Sequence, residues 1–176
     1  MKNVLAFAGS NSKNSINKQL ASFVVETVSN CNSVILDLND FDLPLYGIDY
    51  EKENGIPDNA HKFLNHIKAS DGIVLSLAEH NGAYAAVFKN IFDWMSRIDG
   101  NIWSNKPMLL MATSPGGRGG KSVLDIAEGK FPRMSANIVG VFSLPFFSKN
   151  FSAKGIADSD LNNELHEKIK IFEESI

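Results

Sequence analysis

The chain has 176 residues, 44% of them hydrophobic and 21% charged, proportions of a globular domain and too apolar for a disordered chain. Lys and Arg number 17 against 20 Asp and Glu, for a formal net charge of −3; only Arg97, Arg118 and Arg133 are arginines and no basic stripe exists, which argues against nucleic acid as a partner. The single cysteine, Cys31, excludes an internal disulfide framework or a thiolate zinc cluster, and His61, His66, His80 and His166 show no metal-ligand spacing.

The opening Met1–Ser10 superficially resembles an export signal, but the apolar run Val4–Ala8 is too short for one. Asn3–Ala8 reads instead as a buried strand. Asn17–Ser29 reads as a helix with Leu20, Phe23, Val24, Thr27 and Val28 on one face. Ser33–Leu38 is a second strand, and Asn39–Pro57 a long loop rich in Asp, Gly and Pro. Asp58–Ala69 is a helix with Asp58 as N-cap and Phe63, Leu64 and Ile67 facing inward. Gly72–Leu77 is a strand. Ala83–Arg97 is a helix with Val87, Phe88, Ile91, Phe92 and Met95 at helical spacing. Pro107–Thr113 is a strand, Gly120–Glu128 a short helix, Asn137–Phe142 a strand, and Asp158–Glu174 a closing helix capped by Asp158 or Ser159. No segment approaches the roughly 20 apolar residues of a membrane helix. With one cysteine and no export signal, the expectation is a cytoplasmic protein without a membrane partner.

Five strands alternating with five helices predict an α/β fold over residues 1–176 as one domain. Continuous apolar strands are covered on both faces, the mark of a parallel sheet. The expected architecture is a doubly wound, flavodoxin-like five-stranded sheet of order 2-1-3-4-5 with helices on both faces. In such a sheet ligands sit beyond the carboxyl ends of the strands, at the switch point between strands 1 and 3. The loops after strands 1, 3 and 4 should therefore carry the chemistry.

The first of these loops runs Gly9-Ser10-Asn11-Ser12-Lys13-Asn14-Ser15-Ile16-Asn17. Gly9 is read as permitting a tight turn. The serines, Asn17 and the free N–H groups of the following helix suit a phosphate, although Ser15 or Asn17 as a simple N-cap is an equal alternative. The loop offers short neutral donors for one terminal phosphate and nothing obvious for an adenosine half. The second loop, Ser76 to Tyr84, can lay backbone N–H groups along a heterocycle or serve as an ordinary connection. The third, Thr113 to Ser122, is not a Walker A loop, because Pro115 stands where that motif requires glycine. Its glycines, Gly116, Gly117, Gly119 and Gly120, are read as allowing close approach to a flat ligand. The first strand ends without the acidic cluster of a response regulator and without G-x-G-x-x-G, and no nucleophile with an evident base argues for a hydrolase.

Together the three loops resemble those of the NADPH-dependent FMN reductase family, which includes quinone, azo-dye and chromate reductases. The family's G-S-x-R-x-x-S-x-N-x-x-L is matched by Gly9, Ser10, Ser15, Asn17 and Leu20, with Ser12 at the Arg position. Its P-E-Y-N and L-K-N-x-x-D-W elements are matched by Ala78-Glu79-His80-Asn81 and Phe88-Lys89-Asn90-Ile91-Phe92-Asp93-Trp94. Its S-x-G-x-x-G-G is matched by Ser114, Gly116, Gly119 and Gly120. Leu43-Pro44-Leu45-Tyr46 is similar to the family's long loop. The resemblance implies FMN phosphate on Ser10, Ser12, Ser15, Ile16 and Asn17, and the ring bordered by Ala78, Glu79, His80, Asn81, Gly82, Ser114, Pro115, Gly116 and Gly117. It implies NADPH or NADH as electron donor, a small-molecule acceptor, no dedicated catalytic side chain, and a homodimer or tetramer through the helix of Asp93 and Trp94. Arg118 is a candidate for an NADPH phosphate or a solvated loop residue, and Lys89 is read as structural. The rival functions are a flavodoxin-type electron carrier and a non-catalytic FMN-binding sensory module. Net −3 with fourteen Lys lacks the acidic docking surface of the carrier.

Overall fold

Val4 to Ala8 are all buried in the first strand of the computed structural model, which describes residues Met1–Ile176. That strand, β1 (Lys2–Gly9), is central in a parallel sheet with β2 (Cys31–Leu36), β3 (Gly72–Leu77), β4 (Pro107–Thr113) and β5 (Asn137–Leu144). The spatial order is β2-β1-β3-β4-β5, the expected doubly wound order. Register sets Ala6 against Ile35 on one side and Val74 on the other; β3 pairs with β4 from Ile73–Met108 onward.

The sheet is covered on both faces by α1 (Ile16–Thr27), α3 (Asp58–Ala69), α4 (Ala86–Ile98), α5 (Lys121–Lys130) and α7 (Ser159–Ser175), while α2 (Ile48–Asn54) and α6 (Phe147–Asn150) are short. Successive strand residues point to opposite faces, and so build two cores. Leu5 and Phe7 join Phe63, Leu64, Phe88, Ile91, Phe92 and Met95 on one side. Val4 and Ala6 join Leu20, Val24, Leu165, Ile169 and Phe172 on the other. Truncating a large residue of this kind, such as Phe172→Ala, typically costs about 3–5 kcal/mol.

Several local expectations change. The α1 face in the core is Leu20, Ala21, Val24 and Val25; Phe23 and Thr27 are half-buried, and the Phe23 ring stands edge-on to Phe151 at 5.5 Å. Strand β2 ends at Leu36, and Leu38 opens a 3-10 turn; Asn32 to Ile35 are exposed because β2 is an edge strand. The long loop contains α2, whose Tyr50 ring lies 6.0 Å from that of Trp94 on α4. Asp58 is the first residue of α3, behind Pro57 at the cap position. Ala83 and Tyr84 are not helical. They pair antiparallel with Glu79 and His80 around Asn81 (φ 52) and Gly82 (φ 76), an Asn-Gly two-residue turn of the left-handed kind. Asp158 does cap α7, accepting from the N–H groups of Asp160 and Leu161.

Candidate functional site

The first loop ends in a capped helix. Ser15 Oγ accepts the Lys18 N–H at 3.1 Å, and Ser10 Oγ accepts the Ser12 N–H at 3.2 Å. The first backbone bond into the helix is Gln19 N–H to Ser15 O, at 3.1 Å. The N–H groups of Ile16 and Asn17 precede it and have no partner within the helix, which leaves donors and the positive end of the helix dipole at the loop. Gly9 does not make a turn. It is the last strand residue, and a Cβ there would stand 2.9 Å from Leu77 Cδ2 and 3.2 Å from Phe88 Cγ, so close packing excludes a side chain.

The side chain of Asn17 has a task that spacing alone does not reveal. Its Oδ1 accepts both the Ser76 hydroxyl (2.7 Å) and the Thr113 N–H (3.0 Å), and its Nδ2 donates to Thr113 O (3.2 Å). All three residues are buried. One amide therefore ties the start of α1 to β3 and to the carboxyl end of β4, and Thr113 Oγ1 continues the tie to Leu144 O. Asn17 thus faces the loop with its backbone N–H, while its side chain positions all three loops.

Glu79 is likewise engaged. Its Oε2 accepts the Val123 N–H at 3.0 Å, in the first turn of α5, where the cap residue Gly120 has no side chain to offer. A carboxylate from the second loop thereby caps the helix that follows the third. Ala78 is buried; His80 and Asn81 are exposed. Next in the chain, Tyr84 lies parallel to the Phe131 ring at 6.1 Å. Its buried hydroxyl has no hydrogen-bond partner, and burial pushes its pKa up to about 12, so it stays protonated.

In the third loop Ser114 Oγ donates to Gly116 O. The glycines divide by cause. Gly119 (φ 59) and Gly120 (φ 77) have left-handed backbones, and added Cβ atoms would strike Ser143 Oγ and Ala112 Cβ; their reason is the fold and not a ligand. Gly116 has nothing within 4 Å of its missing Cβ, so open space lies beside it. Gly117 is covered by the Phe146 ring, 2.8 Å from where its Cβ would be. Phe146 has φ 48, a strained backbone for a bulky residue; it is held there by Phe146 N–H to Gly116 O (3.0 Å) and Phe147 N–H to Ser114 O (3.1 Å). Arg118 is exposed and donates to Ser122 Oγ.

The three loops converge on one cavity of about 200 Å³, lined by Ser10, Ser12, Asn14, Ser15, Ile16, Asn17, Ala78, Glu79, His80, Thr113, Ser114 and Pro115. Asn81, Gly82, Gly116 and Gly117 lie outside it, on the rims of the second and third loops. Asn14 and Thr113 are lining residues that sequence reasoning did not single out; Thr113, as the last residue of a buried strand, had a positional signal. Phe146 had none, because a left-handed aromatic residue cannot be foreseen from spacing.

The Lys-Asn-x-x-Asp-Trp stretch on α4 also acquires a physical role. Asn90 Nδ2 (3.0 Å) and Trp94 Nε1 (2.8 Å), one helical turn apart, both donate to Pro44 O. Asn90 Oδ1 accepts the Tyr46 N–H at 2.8 Å. Arg97 pairs with Glu51 at 2.9 Å, and Tyr46 OH donates to the same carboxylate. This face of α4 holds the segment containing α2 onto the helix. Trp94 is fully buried within its own chain, and Lys89 pairs with Asp93 along the exposed side.

Residues 2–147 match the family model for NADPH-dependent FMN reductase. A quinone reductase of Escherichia coli K12 is 34% identical over 79 residues, covering 45% of this chain and 42% of that protein. A 2-hydroxy-1,4-benzoquinone reductase of Burkholderia sp. is 33% identical over 118 residues, covering 66% and 62%. The chain thus spans less than two thirds of the length of these curated relatives. Among solved structures, the flavoenzyme NAD(P)H:(acceptor) oxidoreductase FerB of Paracoccus denitrificans has a TM-score of 0.78 at 23% identity, covering 99% of this chain and 97% of that one. An azoreductase of Bacillus anthracis has a TM-score of 0.70 at 18% identity, covering 99% and 100%. These structures share the fold.

Proposed function

The chain belongs to the NADPH-dependent FMN reductase family, and on that premise we propose that it is a single-domain FMN-dependent oxidoreductase carrying two electrons from NADPH or NADH to a quinone, free flavin or other small acceptor. The observation that carries this reading is the convergence of the three loops on the cavity at the carboxyl ends of β1, β3 and β4. The donor set fits a flavin phosphate. Hydroxyls of Ser10, Ser12 and Ser15 and the N–H groups of Ile16 and Asn17 gather at a helix start, where a dianion is held by neutral donors and the helix dipole. The open space beside Gly116, in the third loop at the rim of the cavity, leaves room for a flat ring.

Bound FMN would supply the hydride-accepting and hydride-donating centre. The residues of the chain orient and exclude. Asn17 fixes the spacing of the three loops, Glu79 anchors the second loop to α5, and Phe146 holds Gly117 and so the third loop. No acid–base side chain is assigned: Tyr84 keeps its proton, and the Glu79 carboxylate is occupied by Val123 N–H. His80 stands exposed at the cavity rim, where it meets donor and acceptor. The finer assignments follow the same reading. The lone Cys31 fits the reducing cytoplasm. Leu45, 82% exposed, with Ile48 and Tyr50 on the segment clamped to α4, forms an apolar patch that suits a homodimer. No helix is long and apolar enough to cross a membrane.

Steady-state oxidation of NAD(P)H with a quinone acceptor tests the function. The purified protein is expected to be yellow, to release FMN on heating, and to give parallel double-reciprocal lines, because donor and acceptor must use one flavin face in turn. Intersecting lines would overturn the shared face. Bound FMN without NAD(P)H oxidation would make the protein a carrier or sensor.

A further inference from the structure

A second and larger cavity, of about 590 Å³, opens from the same loop along the outer side of α1. Asn14 and Ser15 line both this groove and the smaller cavity, so the two adjoin at the loop proposed to hold the flavin phosphate. The smaller one is below the usual volume of a ligand pocket and the groove is well within it.

The groove has a direction. Lys13 stands at the end next to the phosphate loop, beside the positive end of the helix; it makes no ion pair, whereas Lys18 is occupied by Asp37. Gln19 and Ser22 follow along the helix. Beyond them Phe23 and Phe151 stand edge-on at 5.5 Å, with Phe147 stacked on Phe151 at 4.8 Å. Glu26 lies furthest, eleven residues from Ser15, or about 16 Å along the axis at the helical rise. The side chains of Lys13, Asn14, Gln19, Ser22 and Glu26 donate or accept no hydrogen bond within the chain. The succession is a cation and helix end for phosphate, amide and hydroxyl groups for a sugar, an aromatic wall for a base, and a carboxylate that accepts from an amino group. A free phosphate at the far end would meet Glu26 and be repelled.

The geometry points to a subsite for an adenylate joined through its phosphate to the flavin phosphate, so that the protein holds the dinucleotide FAD as well as FMN. Adenine supplies the exocyclic amino N–H that Glu26 accepts, and its ring packs against Phe23 and Phe151. This inference rests on the flavin reading of the first loop, and it removes the reason for expecting FMN alone: a place for an adenosine half exists, built by residues 147–153 from far along the chain.

Titration of the apoprotein with FMN and with FAD, followed by flavin fluorescence, tests it in the wild type, Ser22→Trp and Glu26→Ala. The first variant fills the groove from a half-buried position on the outer side of α1; the second removes the exposed carboxylate. FAD is expected to bind the wild type within threefold of FMN or more tightly. Ser22→Trp should weaken FAD at least tenfold and Glu26→Ala at least threefold, with FMN affinity unchanged in both. FAD affinity insensitive to both variants, or FMN affinity falling in parallel, overturns the subsite while FMN binding by the wild type leaves the function standing. A rise in the KM for NAD(P)H with FAD affinity unchanged would assign the groove to the co-substrate's adenylate and also overturn it. Failure of the wild type to bind either flavin removes the flavin reading itself.

Discussion

Ser15 and Asn17 lie two residues apart and do opposite work. Ser15 is a helix cap whose hydroxyl reaches the candidate phosphate cavity, whereas the Asn17 amide is buried in a knot with Ser76 and Thr113. Ser15→Ala should cost about 1 kcal/mol of stability, the usual value of a cap. It should weaken FMN roughly ten- to hundredfold, since a hydrogen bond to a charged group contributes about 1.5–3 kcal/mol. Asn17→Ala reverses the emphasis. It leaves the Ser76 hydroxyl and Thr113 N–H buried and unpaired, at about 1–3 kcal/mol each. Urea melts of the apoproteins, read beside FMN titrations, check the contrast: a small loss of stability with a large loss of affinity for Ser15→Ala, and a large loss of stability for Asn17→Ala.

Two links between elements make further predictions. Lys18 at the start of α1 pairs with Asp37, the residue that follows β2. Burial alone would raise the Asp37 carboxyl, but hydrogen bonds from Lys18 and from Asn39 outweigh it and hold the group below its ordinary value. A carboxyl depressed on folding stabilises the fold above its unfolded pKa, about 3.9, and that contribution is lost as pH falls through the lower, folded value. Wild type should therefore exceed Asp37→Asn in stability near neutrality, by less than about 1 kcal/mol for a partly exposed pair. The difference should shrink below about pH 4 in matched melts. The second link is Asn90, which holds Pro44 O and Tyr46 N–H. Asn90→Ala should speed amide hydrogen exchange at Tyr46 and in α2 while leaving the sheet's exchange unchanged.

At the scale of the molecule, the proposed binding at the junction of three loops would couple the ligand to the whole fold. FMN at about 100 times its Kd should add about 2.7 kcal/mol to unfolding. For a domain of this size that raises Tm by roughly 5–11 °C, measurable by calorimetry on the apoprotein. The same coupling follows from topology. Loop residues around positions 10, 80 and 115 meet because β1, β3 and β4 are adjacent and parallel, which puts their carboxyl ends on one edge.

Much of this was legible in the residues themselves. The strands announce themselves as apolar, β-branched runs, and alternation with amphipathic segments leaves few topologies once right-handed crossovers are required. The doubly wound order and the edge on which the three loops meet therefore follow from local pattern, as do the loops' hydroxyl and glycine content. What each residue does within those loops was decided by the tertiary structure. Asn17 and Glu79 carry polar groups whose partners lie 96 and 44 positions away, and no local rule chooses between such a partner and a ligand. Gly119 and Gly120 are set by contacts with β4 and β5, and the α1 groove exists only because residues 147–153 return to it. Local sequence determines elements because propensity and periodicity act over a few residues; the destinations of buried polar groups and the shape of a cavity depend on what the rest of the chain brings within a few ångströms.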